Sequence, residues 1–366
     1  MVFLFGISFG IASLIQSVHH LRALAIQNSL FAPTTLHDAI GRLGFVQADP
    51  IRSPATAQDL ILRQRVKNYR VGDLDRKYAS LNLEEDYLYA YGFLPNENWQ
   101  LLHPRKSDAL SAVEQKVLSV VRKYGAMHPR ELEEHCGKER VINAWGGYSK
   151  ATTHALEHLH RRGLLRVVRR EKGIRIYEAN LNKPVVLSEK ERSVRLVKLV
   201  ANIFAPSPLK TLQSLRFSRP ESCNVREVMA TLIAGSELKT VDVDNIRYVL
   251  PSHLLAIADE EYEPPPVVRF LAPFDPLIWD RSRFELFWNW SYRFEAYTPV
   301  AKRVRGYYSL PLLWRDDIIG WANVRNLDGQ LEVETGFVSR RPRDANFKSE
   351  LAKEIERMRH FLRIRQ

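Results

Sequence analysis

An α+β fold with its elements segregated along the chain follows from three features of this sequence. The same order of helical and hairpin patterns occurs twice between residues 109 and 250, strand patterns dominate the last third, and a proline run separates the two regions. Helices and hairpins grouped ahead of a strand-rich segment are inconsistent with the steady β-α-β alternation of a parallel sheet.

Size and charge bound the possibilities. A chain of 366 residues is long enough for two to four domains, and 45% hydrophobic content supplies their cores. A net charge of +12 favours a polyanionic partner, nucleic acid or an anionic membrane surface. Two cysteines, Cys136 and Cys223, are too few for a disulfide framework or a zinc cluster and suit a reducing cytoplasm. The apolar stretch Val2–Ile15 lacks a preceding Lys or Arg and a small-x-small cleavage pattern, and it is too short to span a bilayer as a helix. It reads as an extension or an amphipathic turn on the first domain of a soluble protein.

Ser17–Gln27 has helical periodicity, with Val18, Leu21, Leu24 and Ala25 on one stripe. A second helix starts at Thr34 or Thr35, where Thr35-x-x-Asp38 resembles a capping box, buries Leu36, Ile40 and Leu43, and ends at Gly44. Gly44–Asp49 then reads as a short strand stopped by Pro50. Alternation puts Gln47 and Asp49 on one face and Val46 and Ala48 on the other. An amide beside a carboxylate can hold a water and take its proton. Asp49-Pro50 is equally a turn starter, or a cap for the next helix. That helix is expected to open at Ser53-Pro54, run through Leu60, Ile61 and Leu62, and carry Arg63, Arg65, Lys67 and Arg70 at its end.

Asp86–Tyr91 alternates strictly, placing Tyr87, Tyr89 and Tyr91 on one strand face. That face is a stacking platform for bases or a half-buried sheet surface. His103–Lys106 (HPRK) closes the first domain. Helices at Ser111–Tyr124, after Pro129 and from Ser149 follow, then strands Leu164–Arg169 and Ile174–Tyr177 around Lys172-Gly173. Three helices and a hairpin is the winged-helix plan, whose third helix lies on DNA. In that helix Ala151, Ala155 and Leu159 form the inner stripe, while Lys150, His154, His158 and Arg161 recur along the outer face. The hairpin adds Arg166, Arg169, Arg170, Lys172 and Arg175, so a basic helix beside a basic wing presents a phosphate-tracking surface. His154-Ala-Leu-Glu157-His158 also fits an H-x-x-E-H metalloprotease pattern, but a third ligand and a cleft have no place on a DNA-facing helix, so no metal is expected.

The plan recurs with helices at Ser188–Phe204, after Pro208 and at Asn224–Ser236, and a hairpin of Leu238–Val243 and Ile246–Leu250. Beyond the linker Glu261–Pro266, strands are expected at Phe284–Tyr297, Gly306–Trp314, Ile318–Val324 and Leu331–Phe337, forming a small sheet or partial barrel closed by a helix over Arg343–Ile364. The expected domains are therefore 16–108, 109–183, 184–263 and 264–366, after the extension 1–15. On these features alone an enzyme acting on DNA and a non-enzymatic winged-helix DNA-binding protein or transcription regulator both stand.

Several segments recur in order in one family. Phe45-Val-Gln47-Ala-Asp49, Arg52-Ser-Pro54 and Phe93-Leu-Pro95 resemble segments of the AlkZ/YcaQ-type DNA glycosylases. So do Pro273-Phe274-Asp275-Pro276-Leu-Ile-Trp279-Asp280-Arg281, Ser291-Tyr292-Arg293, Tyr297-Thr-Pro299, Lys302-Arg303 and Arg305-Gly306-Tyr307-Tyr308. The resemblance implies tandem winged-helix units followed by a β-barrel-like domain. It implies a monofunctional glycosylase that removes alkylated purines and unhooks crosslinked bases from double-stranded DNA in the cytoplasm, at the nucleoid. Neither a cofactor nor a second subunit is expected. Gln47 and Asp49 match the family's Gln-x-Asp branch, with Asp49 as base and electrostatic stabiliser and Gln47 as the residue that orients water. Arg52, in the matched Arg-Ser-Pro segment, and Tyr89, where an ungapped count from Pro95 meets a family histidine, are further expected DNA contacts.

Overall fold

The computed structural model describes residues 15–106, 108–142, 148–181, 185–258, 262–338 and 340–364. Of the apolar N-terminal stretch only Ile15 falls within these ranges, and it is buried in a hydrophobic core. The chain divides into two compact units, each discontinuous in sequence. The first comprises the chain up to Val71 together with Val194–Arg216 and Asn224 onward, and the second comprises Gly72–Ser193 with Phe217–Cys223.

In the first unit, α1 (Val18–Ser29) starts behind Ser17, whose hydroxyl accepts the His20 amide, and buries Leu21, Leu24 and Ala25. Helix α2 (Leu36–Leu43) starts at Thr35, whose hydroxyl accepts the Asp38 amide at 3.2 Å, and stops at Gly44 in the left-handed region. A two-residue strand β1 (Val46–Gln47) follows. Helix α3 (Ala57–Leu62) begins later than Ser53-Pro54 suggested. Thr56 is its N-cap, and the Thr56 hydroxyl donates to Asp59 at 2.9 Å, so Thr56-x-x-Asp59 supplied the stronger start signal.

The second unit opens with α4 (Asp73–Lys77) and the hairpin β2 (Leu83–Tyr87) and β3 (Tyr91–Pro95). The single strand expected over Asp86–Tyr91 is instead the tip of this hairpin. Tyr87 pairs with Tyr91, and Leu88 to Ala90 make the turn without the Gly, Asn or Asp that usually announces one. After α5 (Asn96–Gln100) come α6 (Ala112–Tyr124), with a full Ser111–Glu114 capping box, and α7 (Pro129–Cys136), with Pro129 at its first turn. A short antiparallel pair, β4 (Arg140–Ile142) and β5 (Tyr148–Lys150), precedes α8 (Ala151–Arg161) and the hairpin β6 (Leu165–Glu171) and β7 (Ile174–Ala179). Val117, Val121, Leu132, Ala155, Leu159, Val167 and Tyr177 join these helices and the hairpin in one core.

Helix α9 (Glu189–Ile203), β8 (Ser207–Pro208), α10 (Leu209–Ser214), α11 (Val225–Ala234) and the hairpin β9 (Leu238–Val243) and β10 (Ile246–Pro251) repeat that order. Beyond the linker, β11 (Val268–Phe270) is followed by α12 (Pro276–Trp279) and α13 (Arg281–Trp288), where a strand was expected to begin. Alternating aromatics from Phe284 to Phe294 imitate a strand. Phe284, Phe287 and Trp288 equally fit one helical face and are the residues buried, while Asp280 accepts the Ser282 and Arg283 amides as N-cap. Strands β12 (Leu310–Trp314), β13 (Asp317–Leu327) and β14 (Gln330–Phe337) then extend β11 into an open antiparallel sheet of order β11-β12-β13-β14. Helix α14 (Ala345–Leu362) packs on it, with the Phe347 ring 5.4 Å from Trp314 and 6.1 Å from Phe337. Among the described residues no helix is long and apolar enough to cross a membrane.

Candidate active site

The site is assembled from β1 and the C-terminal part of the first unit. Phe45 and Val46 are fully buried and hold the strand in the core. Gln47 is 9% exposed, and its side-chain Oε1 finds no hydrogen-bond donor among the described residues. The strand ends there rather than at Asp49. Pro50 has no amide to offer a ladder, and the Asp49 carboxylate turns back to accept the Ile51 amide on Oδ1 at 3.0 Å. The Asp49 amide donates to Gln58 Oε1 at 3.3 Å, tying the loop to α3. Asp49 is thus a turn residue, as its Pro50 neighbour suggested, but it does not cap the next helix, and its Oδ2 has no hydrogen bond to the described residues. Burial raises its pKa above the ordinary aspartate value, against the Ile51 amide, which lowers it.

Tyr308 is 3% exposed and has a hydroxyl without a hydrogen-bond partner among the described residues. Burial first, then the Asp49 charge, pushes its ionisation well above pH 10, so the phenol keeps its proton. Its ring meets Phe294 edge-on at 5.2 Å, and Phe294 in turn touches Phe274 at 5.1 Å and Tyr297 at 6.0 Å. Tyr297 is 81% exposed, so the aromatic cluster reaches from the buried phenol to solvent.

Two polar clamps fix this arrangement. Arg65, from the turn after α3, donates to both oxygens of Asp275 and to the carbonyls of Ser29 and Ile61. Asp275 also accepts the Leu277 amide at the start of α12, so the Pro273-Phe-Asp-Pro segment that carries Phe274 is pinned to the helix following the Gln-x-Asp loop. Glu295 accepts the amides of Val304, Arg305 and Gly306 at 3.1, 2.8 and 3.2 Å, and these donors hold its carboxyl below the ordinary glutamate range against burial. That closes the loop from Tyr297 to Gly306. Arg281 reaches the Pro273 carbonyl at 2.9 Å and lies 4.7 Å from the Tyr292 ring centre.

The expected DNA contacts have varied settings. Arg52 is exposed on the Asp49 loop. Tyr89, in the second unit, is buried at the hairpin tip, with Tyr87 the exposed ring. On α8 and the residue before it, Lys150 pairs with Glu133 at 2.7 Å, His158 bonds Glu114, and His154 and Arg161 are exposed. On the hairpin, Arg169 and Lys172 are exposed, Arg169 with Glu171 at 2.8 Å. Arg170 pairs with the buried Glu85, and Arg175 lies over the Tyr91 ring at 4.1 Å while also facing Glu85. Sequence reasoning saw the charge of the wing but not the acidic run Glu84-Glu85-Asp86 that takes up part of it. Tyr297 and Tyr308 stood in the matched motifs without a role, and Phe294 lay between two of them. Their ring contacts, and the effect of the Asp49 charge on Tyr308, depend on tertiary structure that spacing does not reveal.

Among the described residues no group of three or more His, Cys, Asp or Glu could hold a metal ion. A solved structure of similar fold is the DNA glycosylase AlkZ of Streptomyces sahachiroi, with a TM-score of 0.63 and 16% identity over 94% of this chain and 97% of that one. The family model described as DNA glycosylase AlkZ-like matches residues 40–361, a span that includes Gln47, Asp49, Arg65, Asp275 and Glu295, and the chain therefore belongs to the AlkZ-like DNA glycosylase family.

Proposed function

We propose that this protein hydrolyses the N-glycosidic bond of N7-alkylated purines in duplex DNA, interstrand-crosslinked bases included, as a monofunctional glycosylase. The observation that carries the reading is the Asp49 carboxylate. One oxygen is fixed by the Ile51 amide, the other has no hydrogen bond to the described residues, and the charge acts on the buried Tyr308 phenol. Departure of the base leaves an oxocarbenium-like sugar, and a fixed carboxylate near C1′ stabilises that charge and accepts the proton of the attacking water. A purine alkylated at N7 is already cationic and leaves without a strong general acid, so a carboxylate and a water-holding amide suffice. Asp49 takes the first role and Gln47 Oε1 the second.

The two helix-and-hairpin repeats act in this reading as winged-helix units that track the duplex backbone. Arg52, Lys150, His154, His158, Arg161, Arg169 and Lys172 are the proposed phosphate contacts. Arg170 and Arg175 chiefly hold the wing to Glu85. Incubation of the wild-type protein with duplex DNA carrying a single N7-methylguanine tests the reading. Release of the free base with an abasic product is expected. Salt-sensitive binding without release would identify a DNA-binding protein that is not a glycosylase.

A further inference from the structure

One loop in the C-terminal part of the first unit exposes its apolar side chains and turns its polar groups inward. Tyr297, Val300, Val304 and Tyr307 are 81, 75, 77 and 43% exposed, all within eleven residues. Single exposed hydrophobics are ordinary, but several on one loop mark a contact surface. The backbone beneath them is fixed. Glu295 is buried and accepts the Val304, Arg305 and Gly306 amides. The Lys302 and Arg303 amides donate to the Pro299 and Val300 carbonyls at 2.8 and 3.2 Å, closing a single 3-10 turn over Val300–Lys302. Arg303 Nε donates to the Thr298 carbonyl at 2.8 Å. At the base of the loop, Asn323 donates to the Arg305 carbonyl at 2.7 Å. Gly306 sits there at φ +127°, where a Cβ would lie 2.6 Å from Asn323 Oδ1. Polar contacts therefore hold the loop in one shape, and Val300 and Val304 stand in solvent on a preset backbone.

Charge indicates what covers this surface. Between Trp290 and Trp314 the sequence has four cations, Arg293, Lys302, Arg303 and Arg305, and one carboxylate, Glu295, which the three amides already occupy. Arg293 and Lys302 are exposed and form no ion pair among the described residues. An apolar tip between free cations fits duplex DNA, whose phosphates take the charges and whose base steps take the apolar side chains. An anionic bilayer shares that chemistry, but the family to which the chain belongs acts on DNA. We propose that the loop 297–307 is a DNA wedge. Val300 and Val304 enter the minor groove against a base step, and Lys302 and Arg293 neutralise phosphates at its rims. Short branched side chains on a single turn suit that groove, which at about 6 Å wide is too narrow for a helix. The wedge adds an apolar, salt-independent contact to the backbone-tracking surface proposed above, and it concerns binding rather than base release.

The test is Val300→Ser with Val304→Ser in the full chain, read on a short undamaged duplex. Kd should rise on the order of tenfold through the lost apolar burial. The slope of log K against log salt should stay at the wild-type value because no charge is removed, and the thermal midpoint should stay because both side chains are exposed. Lys302→Ala should instead weaken binding with a slope shallower by about 0.9. Energy transfer between dyes at the two duplex ends should rise when the wild-type protein binds and kinks the DNA, and the double variant should lose that rise. Wild-type affinity in the double variant would overturn the proposal. Sedimentation of wild-type but not variant protein with phosphatidylserine vesicles would then assign the loop to a bilayer. A melting temperature that falls with the affinity, a salt slope unchanged by Lys302→Ala, or no rise in energy transfer with wild type would overturn it as well. None of these readings uses base release, so failure of the glycosylase reading and failure of the wedge are separate results.

Discussion

Arg65 and Asp275 meet through two parallel hydrogen bonds of 2.8 and 2.9 Å, and neither side chain is exposed to solvent. The pair joins the turn after α3 to the segment that opens α12, and so ties the helix after the Gln-x-Asp loop to the segment that carries Phe274. Removing one partner leaves the other charge buried and unpaired, which costs about 3–5 kcal/mol. Asp275→Ala is therefore expected to lower stability by roughly that amount in urea denaturation, and to reduce activity at temperatures where the protein is still folded. A change within the ±0.5 kcal/mol usual for surface positions would show that the clamp does not hold the site.

Burial raises the pKa of Asp49 above 3.8, and the proposed chemistry needs the ionised form. Activity should be full at neutral pH and fall as pH drops through the raised value, with an acid limb above the ordinary aspartate range. The stability consequence has the opposite sense. A folded pKa raised above the unfolded one gives a contribution that is present below the unfolded pKa and lost as pH rises through the folded one. At neutral pH the charge of Asp49 therefore weakens the fold, and Asp49→Asn should melt at or above the wild-type temperature while losing activity. A clear fall in melting temperature would show that Asp49 serves the fold rather than the reaction.

Arg170 and Arg169 are neighbours with different duties. Arg170 holds Glu85, which is 1% exposed, whereas Arg169 is half exposed beside Glu171. Arg169→Glu with Lys172→Glu should weaken binding to all duplex sequences at unchanged stability. The slope of log K against log salt should become shallower by about 0.9 for each phosphate that is no longer neutralised. Arg170→Ala should instead lower the melting temperature of the second unit by stranding Glu85. Unaltered salt dependence in the double reversal would remove this wing from the DNA-binding surface.

In the second unit Asp86 is buried, which would raise its pKa, but the His103 hydrogen bond at 2.8 Å and the Arg105 charge bring it down to about 2. Because the folded value is depressed, the stabilisation is present above the unfolded value near 3.9 and is lost as pH falls towards about 2. Asp86→Asn should flatten the acid denaturation profile in that window. The same pair explains Gly163, where φ is +71° and a Cβ would lie 2.7 Å from His103 Nδ1.

Much of this was legible in the residues, and the exceptions have physical causes. Caps and periodicity placed α1, α2, α6, α7, α8 and both long hairpins, because Thr35, Ser111, Pro129 and the Lys172-Gly173 turn are local signals that tertiary structure had no reason to override. The helix α13 was hidden because its aromatics satisfy periods of 2 and 3.6 together, and only the Asp280 cap distinguishes them. The Tyr87–Tyr91 turn was hidden because it uses Leu88, Tyr89 and Ala90 where a turn usually uses Gly or Asn. At the site, Gln47 and Asp49 stood out by spacing and by resemblance. Tyr308, whose ionisation the Asp49 charge raises, lies far along the chain, and no linear pattern links the two.

The most direct test of the account is base release by Asp49→Asn compared with wild type on duplex DNA bearing N7-methylguanine, with duplex binding measured in parallel. The variant is expected to bind the duplex with wild-type affinity and salt dependence but to lose on the order of a hundredfold or more in single-turnover release. Release at the wild-type rate would contradict it and move the chemistry away from Asp49.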